Sequence, residues 1–188
     1  MGSVAKRYDS GLPTGLDVDA FLAWVNNRPG RYELHDGAVF AMAPERLWHA
    51  RMKYKVQRAL DEGIEKAGLE GRMVPDGVAV HVSTSKWYEP DAMVYCGPEA
   101  PSDNLNILDP IILVEVASPS TERLDETFKL TGYFSVPSVQ HYLIIYPEGP
   151  LVHHQRQGDG TLLTRLVSSG PIRLDPPGIA LDTSLFIA

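Results

Sequence analysis

The chain has 188 residues, 44% of them apolar and 22% charged, with a formal net charge of −7. That length suits one domain with a hydrophobic core, and the composition is globular rather than disordered. The negative total excludes a surface that attracts nucleic acid everywhere, while leaving room for a local basic face around an acidic, metal-holding centre. No run approaches the roughly eighteen apolar residues of a membrane-spanning helix. The opening MGSVAKRYDSGLP lacks an apolar secretory core, so a cytoplasmic protein without membrane contact is expected. A single cysteine, Cys96, leaves neither an internal disulfide nor a cysteine-built zinc site.

Residues 1–15, with Gly11, Pro13 and Gly15, read as a flexible lead-in to one domain spanning 16–188. Asp17 suits the cap of a short helix reaching Asn26, with Phe21, Leu22 and Val25 on its buried face. Two extended runs, Arg31–His35 and Ala38–Met42, flank Asp36-Gly37, a strong hairpin signal because glycine accepts the positive φ of a tight turn. From Leu47 to Lys66 the apolar Met52, Val56, Leu60 and Ile64 recur every fourth residue, the spacing of one helix face, and basic residues fill much of the remainder. Gly68 and Gly71 end it. Val78–Val82 and Glu89–Tyr95 read as strands, and Ile111–Ala117 is apolar except for Glu115, as a central strand buried on both faces would be. A helix is expected from Ser120 or Thr121 through Phe134. A buried strand, His141–Tyr146, follows, then shorter strands at Leu151–Arg156 and Leu162–Val167 and a proline-rich segment from Pro171 to Pro177. The pattern predicts an α/β (α+β) domain with a mixed central sheet flanked by helices.

Glu115 is the most informative residue, because a carboxylate in a buried strand costs several kcal/mol unless it is paired or faces a cleft. A structural pairing with Arg123 or Lys129 and a place in a functional cleft are both open. Pro90-Asp91 puts a second carboxylate at a strand entrance, since proline cannot donate to a ladder. Pro-Asp alone is a weak signal, and Pro75-Asp76 is another instance. Two carboxylates on neighbouring strands can hold Mg²⁺, and a lysine beside them can orient or deprotonate water. Asp125, Lys129 and Tyr133 are spaced four apart and share a helix face. His153-His154 reads as structural, because neighbours on a strand point to opposite faces. Trp24, Trp48 and Trp87 read as packing residues. The chain has no serine elbow, P-loop or dinucleotide fingerprint.

The PD-(D/E)XK nuclease fold carries an aspartate on one strand, an acidic residue on the next and a lysine two positions later. Here Pro90-Asp91 and Glu115-Val116-Ala117 resemble that pattern, with Ala117 at the lysine position. The ordered set Tyr32-Glu33-Leu34-His35-Asp36-Gly37, His49, Pro90-Asp91, Val114 to Thr121, Asp125, Lys129 and Tyr133 resembles the bacterial Uma-type family of restriction-endonuclease-like proteins. The likeness covers Tyr32 to Tyr146. It implies a restriction-endonuclease-like fold and a metal-dependent endonuclease acting on DNA. Asp91, Glu115 and the Val116 carbonyl would ligate Mg²⁺ or Mn²⁺, Lys129 would replace the missing lysine, and Glu33 would be an accessory acid. His49, Arg51 and Lys53 would contact substrate phosphate, with Arg46, Lys55 and Arg58 beside them. A homodimer is the family expectation. The alternative is a catalytically inactive module on the same fold that binds nucleic acid or a protein, which Ala117 and the acidic total favour.

Overall fold

The computed structural model describes residues 11–117, 128–146 and 149–186. Helix α1 (Val18–Val25) starts where Asp17 accepts the Ala20 N–H at 2.8 Å. It buries Val18 and Phe21, while Leu22 and Val25 lie only half buried. Strands β1 (Tyr32–His35) and β2 (Ala38–Ala41) form the expected hairpin. Asp36 and Gly37 both take positive φ, 49° and 79°, the turn whose twist matches its flanking strands. Helix α2 (Leu47–Ala67) ends at Gly68, whose left-handed backbone (φ 62°) lets its N–H close on the Ile64 and Glu65 carbonyls.

The chain continues through β3 (Gly71–Pro75), β4 (Ala79–Ser83), β5 (Lys86–Tyr88), β6 (Ala92–Cys96), β7 (Asn106–Ile107) and β8 (Pro110–Val116). Helix α3 (Leu130–Ser135), β9 (His141–Ile145), β10 (Leu151–Arg156), β11 (Leu162–Val167), β12 (Pro171–Leu174) and β13 (Ile179–Asp182) complete it. The helix expected from Ser120 or Thr121, and Asp125 and Arg123 with it, falls largely outside the described residues. Three expectations are corrected. Strands β3, β5 and β7 are additional, because pairing with β6, β1 and β4 creates them where local periodicity is poor. Strand β6 begins at Ala92 rather than Glu89, since Pro90 and Asp91 turn the chain at its entrance. The Pro171–Pro177 segment is half of the β12–β13 hairpin, its prolines sitting at the strand start and in the turn, where no ladder donor is needed.

The central sheet has the order β11-β10-β9-β8-β6-β3, with β8 and β9 parallel and all other neighbours antiparallel. Strand alternation divides β8 between two cores. Ile112, Val114 and Val116 join Val56, Leu60 and Ile64 of α2 and Ile179 and Leu181 of β13. Leu113 and Ala117 face the other way, toward Tyr133 of α3, Tyr142, and Val80 and Tyr88 of a second sheet ordered β2-β1-β5-β4-β7. Glu115 shares that second face, so it points between the two sheets. Among the described residues no helix is long and apolar enough to cross a membrane.

Gly132 sets how closely α3 approaches the second sheet. A Cβ there would lie 2.6 Å from the Tyr88 Cε2 atom and 3.2 Å from its hydroxyl, and Tyr88 is fully buried. Gly132→Ala is expected to destabilise the protein by about 1–3 kcal/mol through overpacking, exceeding the ~1 kcal/mol helix-propensity gain. A lower urea midpoint at unchanged slope would show it.

Candidate active site

Ala92 lies opposite Val114 across β6 and β8, which brings Asp91 beside Glu115 and Val116. The Asp91 N–H donates to the Val114 carbonyl at 3.0 Å, and Asp91 Oδ2 accepts the Val116 N–H at 2.7 Å. From the residue preceding α3, Lys129 Nζ donates to Glu115 Oε1 at 2.8 Å and lies 3.0 Å from Glu33 Oε1. Tyr133, one turn later, donates its hydroxyl to the same Glu115 oxygen at 2.7 Å. Glu33 reaches in from β1, where it also accepts the Glu89 N–H at 2.8 Å and faces His35 Nε2 at 2.9 Å. Asp91, Glu115, Lys129 and Glu33 are each 4–8% exposed. At that burial an uncompensated charge is not tolerated, so each carboxylate needs its donors.

Helix α2 closes the other side. His49 Nε2 donates to the Val116 carbonyl at 2.9 Å and lies 3.6 Å from Asp91 Oδ2, while Nδ1 faces Glu45 Oε1 at 2.8 Å. Lys53 requires a correction: rather than standing outward toward phosphate, it is 5% exposed. Its ammonium meets Glu45 at 2.5 Å, Asp76 at 2.8 Å and Asp91 Oδ1 at 3.9 Å. Three carboxylates attract it inward more strongly than solvent holds it. Gln57 Nε2 donates to the Asp91 carbonyl at 2.9 Å. Arg31 spans Asp76 and Glu89 at 2.8 and 2.7 Å. Arg46, Arg51, Lys55 and Arg58 are exposed, although Arg58 pairs with Glu62 one turn on.

Burial is the largest influence on Glu33 and opposes its ionisation, but Lys129, the His35 contact and the Glu89 N–H outweigh it and hold the carboxyl at about 2. On Asp91 burial prevails, keeping it above the usual aspartate value despite the Val116 N–H and nearby His49, Lys129 and Lys53. Burial also opposes charge on Lys53, yet Asp76 and Glu45 hold its ammonium above the usual lysine value. Burial, then Glu115, pushes the Tyr133 phenol well up, so it remains a donor.

Among the described residues no three His, Cys, Asp or Glu side chains converge as a metal cluster. The site instead offers two carboxylates and the Val116 carbonyl, hard oxygens suited to a small dication that keeps several waters. A carbonyl oxygen carries two lone pairs, and His49 engages one of them. The donor chemistry therefore fits Mg²⁺ or Mn²⁺. Ala117 is buried in the apolar cluster beside Tyr133 and Tyr142, and the lysine that contacts Glu115, Lys129, comes from outside β8.

His35, Glu45, Gln57, Asp76, Glu89 and Tyr133 also line or brace the site, and sequence reasoning assigned none of them a role there. For Asp76 the only sequence signal was the repeated Pro-Asp dipeptide; the pairing of Pro75 opposite Ala92 is what brings the two to the same end of neighbouring strands.

Known proteins resemble this chain along most of its length. An uncharacterised protein of Synechocystis sp. is 27% identical over 170 residues, covering 89% of this chain and 87% of that protein. The fold matches a crystal structure of "a putative nuclease belonging to DUF820" from Anabaena variabilis. That match has a TM-score of 0.68 and 14% identity, covering 91% of this chain and 97% of the other. The family Uma2, described as "Putative restriction endonuclease", matches residues 18–186, and the chain belongs to that family.

Proposed function

We propose that the protein is a metal-dependent endonuclease that hydrolyses DNA phosphodiester bonds at the Asp91–Glu115–Lys129 centre. The observation that carries this is the 2.8 Å contact of Lys129 Nζ with Glu115 Oε1, which puts a lysine beside the acidic pair although position 117 is alanine. Membership of a family described as "Putative restriction endonuclease", and a fold shared with a protein described as "a putative nuclease", add support. Asp91, Glu115 and the Val116 carbonyl would hold Mg²⁺ or Mn²⁺, which would neutralise phosphate charge and acidify a bound water.

The chain's own groups do the rest. Lys129 orients the attacking water and faces the charge that develops on the phosphate. Glu33, ionised across the working pH range, keeps that ammonium in place. Tyr133 fixes the Glu115 carboxylate, and His49 holds the Val116 carbonyl. The exposed Arg46, Arg51 and Lys55 of α2 and its approach contact backbone phosphates. Hydrolysis forms one P–O bond from water and breaks the bond to one sugar oxygen, which leaves protonated. Cutting two strands with one centre per chain calls for a homodimer, in the cytoplasm where the DNA is.

Plasmid nicking in Mg²⁺ or Mn²⁺ tests this, comparing wild type with folded Asp91→Ala and Glu115→Ala. The expected outcome is metal-dependent nicking by wild type and a loss of at least ~100-fold in each variant. Equal activity in all three would sink the assignment. A catalytically inactive binding module is the second reading, favoured by an ion-pair network in which Lys53 and Lys129 already compensate the buried carboxylates. Absence of nicking and of Mg²⁺ binding in wild type would point to it.

A further inference from the structure

Lys53 follows His49 by one turn of α2 and precedes Gln57 by one, and all three reach Asp91. His49 Nε2 is 3.6 Å from Oδ2, Lys53 Nζ is 3.9 Å from Oδ1, and Gln57 donates to the backbone carbonyl. The Lys53 ammonium also contacts Glu45 and Asp76 at 2.5 and 2.8 Å. A buried cation therefore stands among three carboxylates brought from the approach to α2, the turn after β3 and the bend before β6. Arg31 meets Asp76 as well, at 2.8 Å. Hydrolases that use two metals hold them about 3.5–4 Å apart around shared ligands. Asp91 is the carboxylate that would have to be shared here, and its Oδ1 side already faces a positive charge.

We propose that Lys53 is a tethered cation that takes the place of a second divalent ion beside Asp91, so that the centre takes one ion. This rests on the reading of Asp91 as a metal ligand, and it gives Lys53 a role other than phosphate contact. The sign of one effect separates the roles. A fixed positive charge next to Asp91 repels a divalent ion, so its removal strengthens ion binding. A residue that only braced the fold would weaken ion binding when removed, and a cation that only contacted phosphate would reduce nicking on removal without admitting a second ion.

The test is Mn²⁺ titration of the full chain by calorimetry, with thermal melting as the check on folding, for wild type, Lys53→Met and Lys53→Arg. One ion is expected for wild type and Lys53→Arg. Lys53→Met is expected to bind Mn²⁺ at least about tenfold more tightly or to take a second ion, with DNA nicking reduced. Binding by Lys53→Met but not by wild type also supports the proposal. Two ions in wild type overturn it, as does unchanged or weaker binding by a folded Lys53→Met. One ion in wild type with no gain in Lys53→Met removes this proposal alone. No binding by any form removes the metal role of Asp91 as well. Should Lys53→Met not fold, the counts for wild type and Lys53→Arg decide, and two ions in either overturn the proposal.

Discussion

Lys129→Met is expected to reduce metal-dependent DNA nicking by at least ~100-fold and to lower stability at neutral pH by about 3–5 kcal/mol. Both effects follow from one location. Lys129 is 4% exposed, with its ammonium 2.8 Å from Glu115 and 3.0 Å from Glu33. Removing it leaves two buried carboxylates facing each other without their shared cation, a situation far worse than the loss of an exposed ion pair. Glu33 is then no longer held near 2, so the folded variant takes up protons that wild type does not. The stability lost at neutral pH is consequently smaller near pH 5 than near pH 7. Lys129→Arg should recover much of the stability, because it restores the charge. It should not recover cleavage, since a planar guanidinium does not present the compact point charge of the ammonium to water and phosphate. Urea denaturation at the two pH values and plasmid nicking by folded protein measure the two effects separately. Nicking by Lys129→Met within about threefold of wild type would show that the centre works without this lysine.

Legibility in the sequence tracked how local the determining physics is. The Asp36-Gly37 hairpin, the α2 span, β8 with its lone Glu115, and β10 and β11 were all readable, because turn chemistry and periodicity act over a few residues. Strand β3 was not, since its half-buried Arg72, Met73 and Val74 become a strand only by pairing with β6. The proline-rich segment gave no strand signal, because the hairpin β12–β13 is set by its cross-strand pairing, with its prolines at positions that need no N–H.

The candidate site divided along the same line. Asp91, Glu115, Lys129 and Glu33 come together from four separate elements, and motif order was enough to nominate them. His49, Lys53 and Gln57 recur every fourth residue, each except His49 following by one a member of the apolar stripe Met52, Val56, Leu60 and Ile64. Residues at that boundary of a helix can face water or the interior, and the choice lies with partners elsewhere in the chain. For Lys53 those partners are Asp76 and Glu45, 23 positions ahead and 8 behind. His35 was hidden for a similar reason, because its place beside Glu33 follows from strand alternation carrying both side chains between the sheets.

Acidification is expected to destabilise the protein through two successive pH windows. The upper one belongs to His141 and His153, paired between Nδ1 and Nε2 at 2.9 Å. The Pro176 carbonyl, 2.8 Å from His141 Nε2, can only accept, so that nitrogen carries the proton. In the neutral ring Nδ1 is then the acceptor for His153 Nε2–H, and a further proton would set two donors against each other. Burial is the first cause lowering both rings, His141 to about 4 and His153 to about 4, with Arg165 and, for His153, His141 acting the same way. An unfolded histidine titrates at 6.5. Between 6.5 and about 4 the unfolded chain therefore binds more protons, and stability falls as pH falls. At about 1.4 kcal/mol per pH unit, one ring contributes on the order of 3 kcal/mol, and the coupled pair less than twice that. The lower window belongs to Glu33, which titrates at 4.5 when unfolded and at about 2 when folded. Its contribution, also on the order of 3 kcal/mol, is complete above 4.5 and lost as pH falls toward 2. His153→Gln retains a donor for His141 but removes one titrating ring, so it should flatten the slope of urea-derived stability against pH between 6.5 and 4 while leaving the Glu33 window in place. An unchanged upper slope in that variant would mean that the histidine pair is not its source, and the proton uptake would have to be assigned elsewhere.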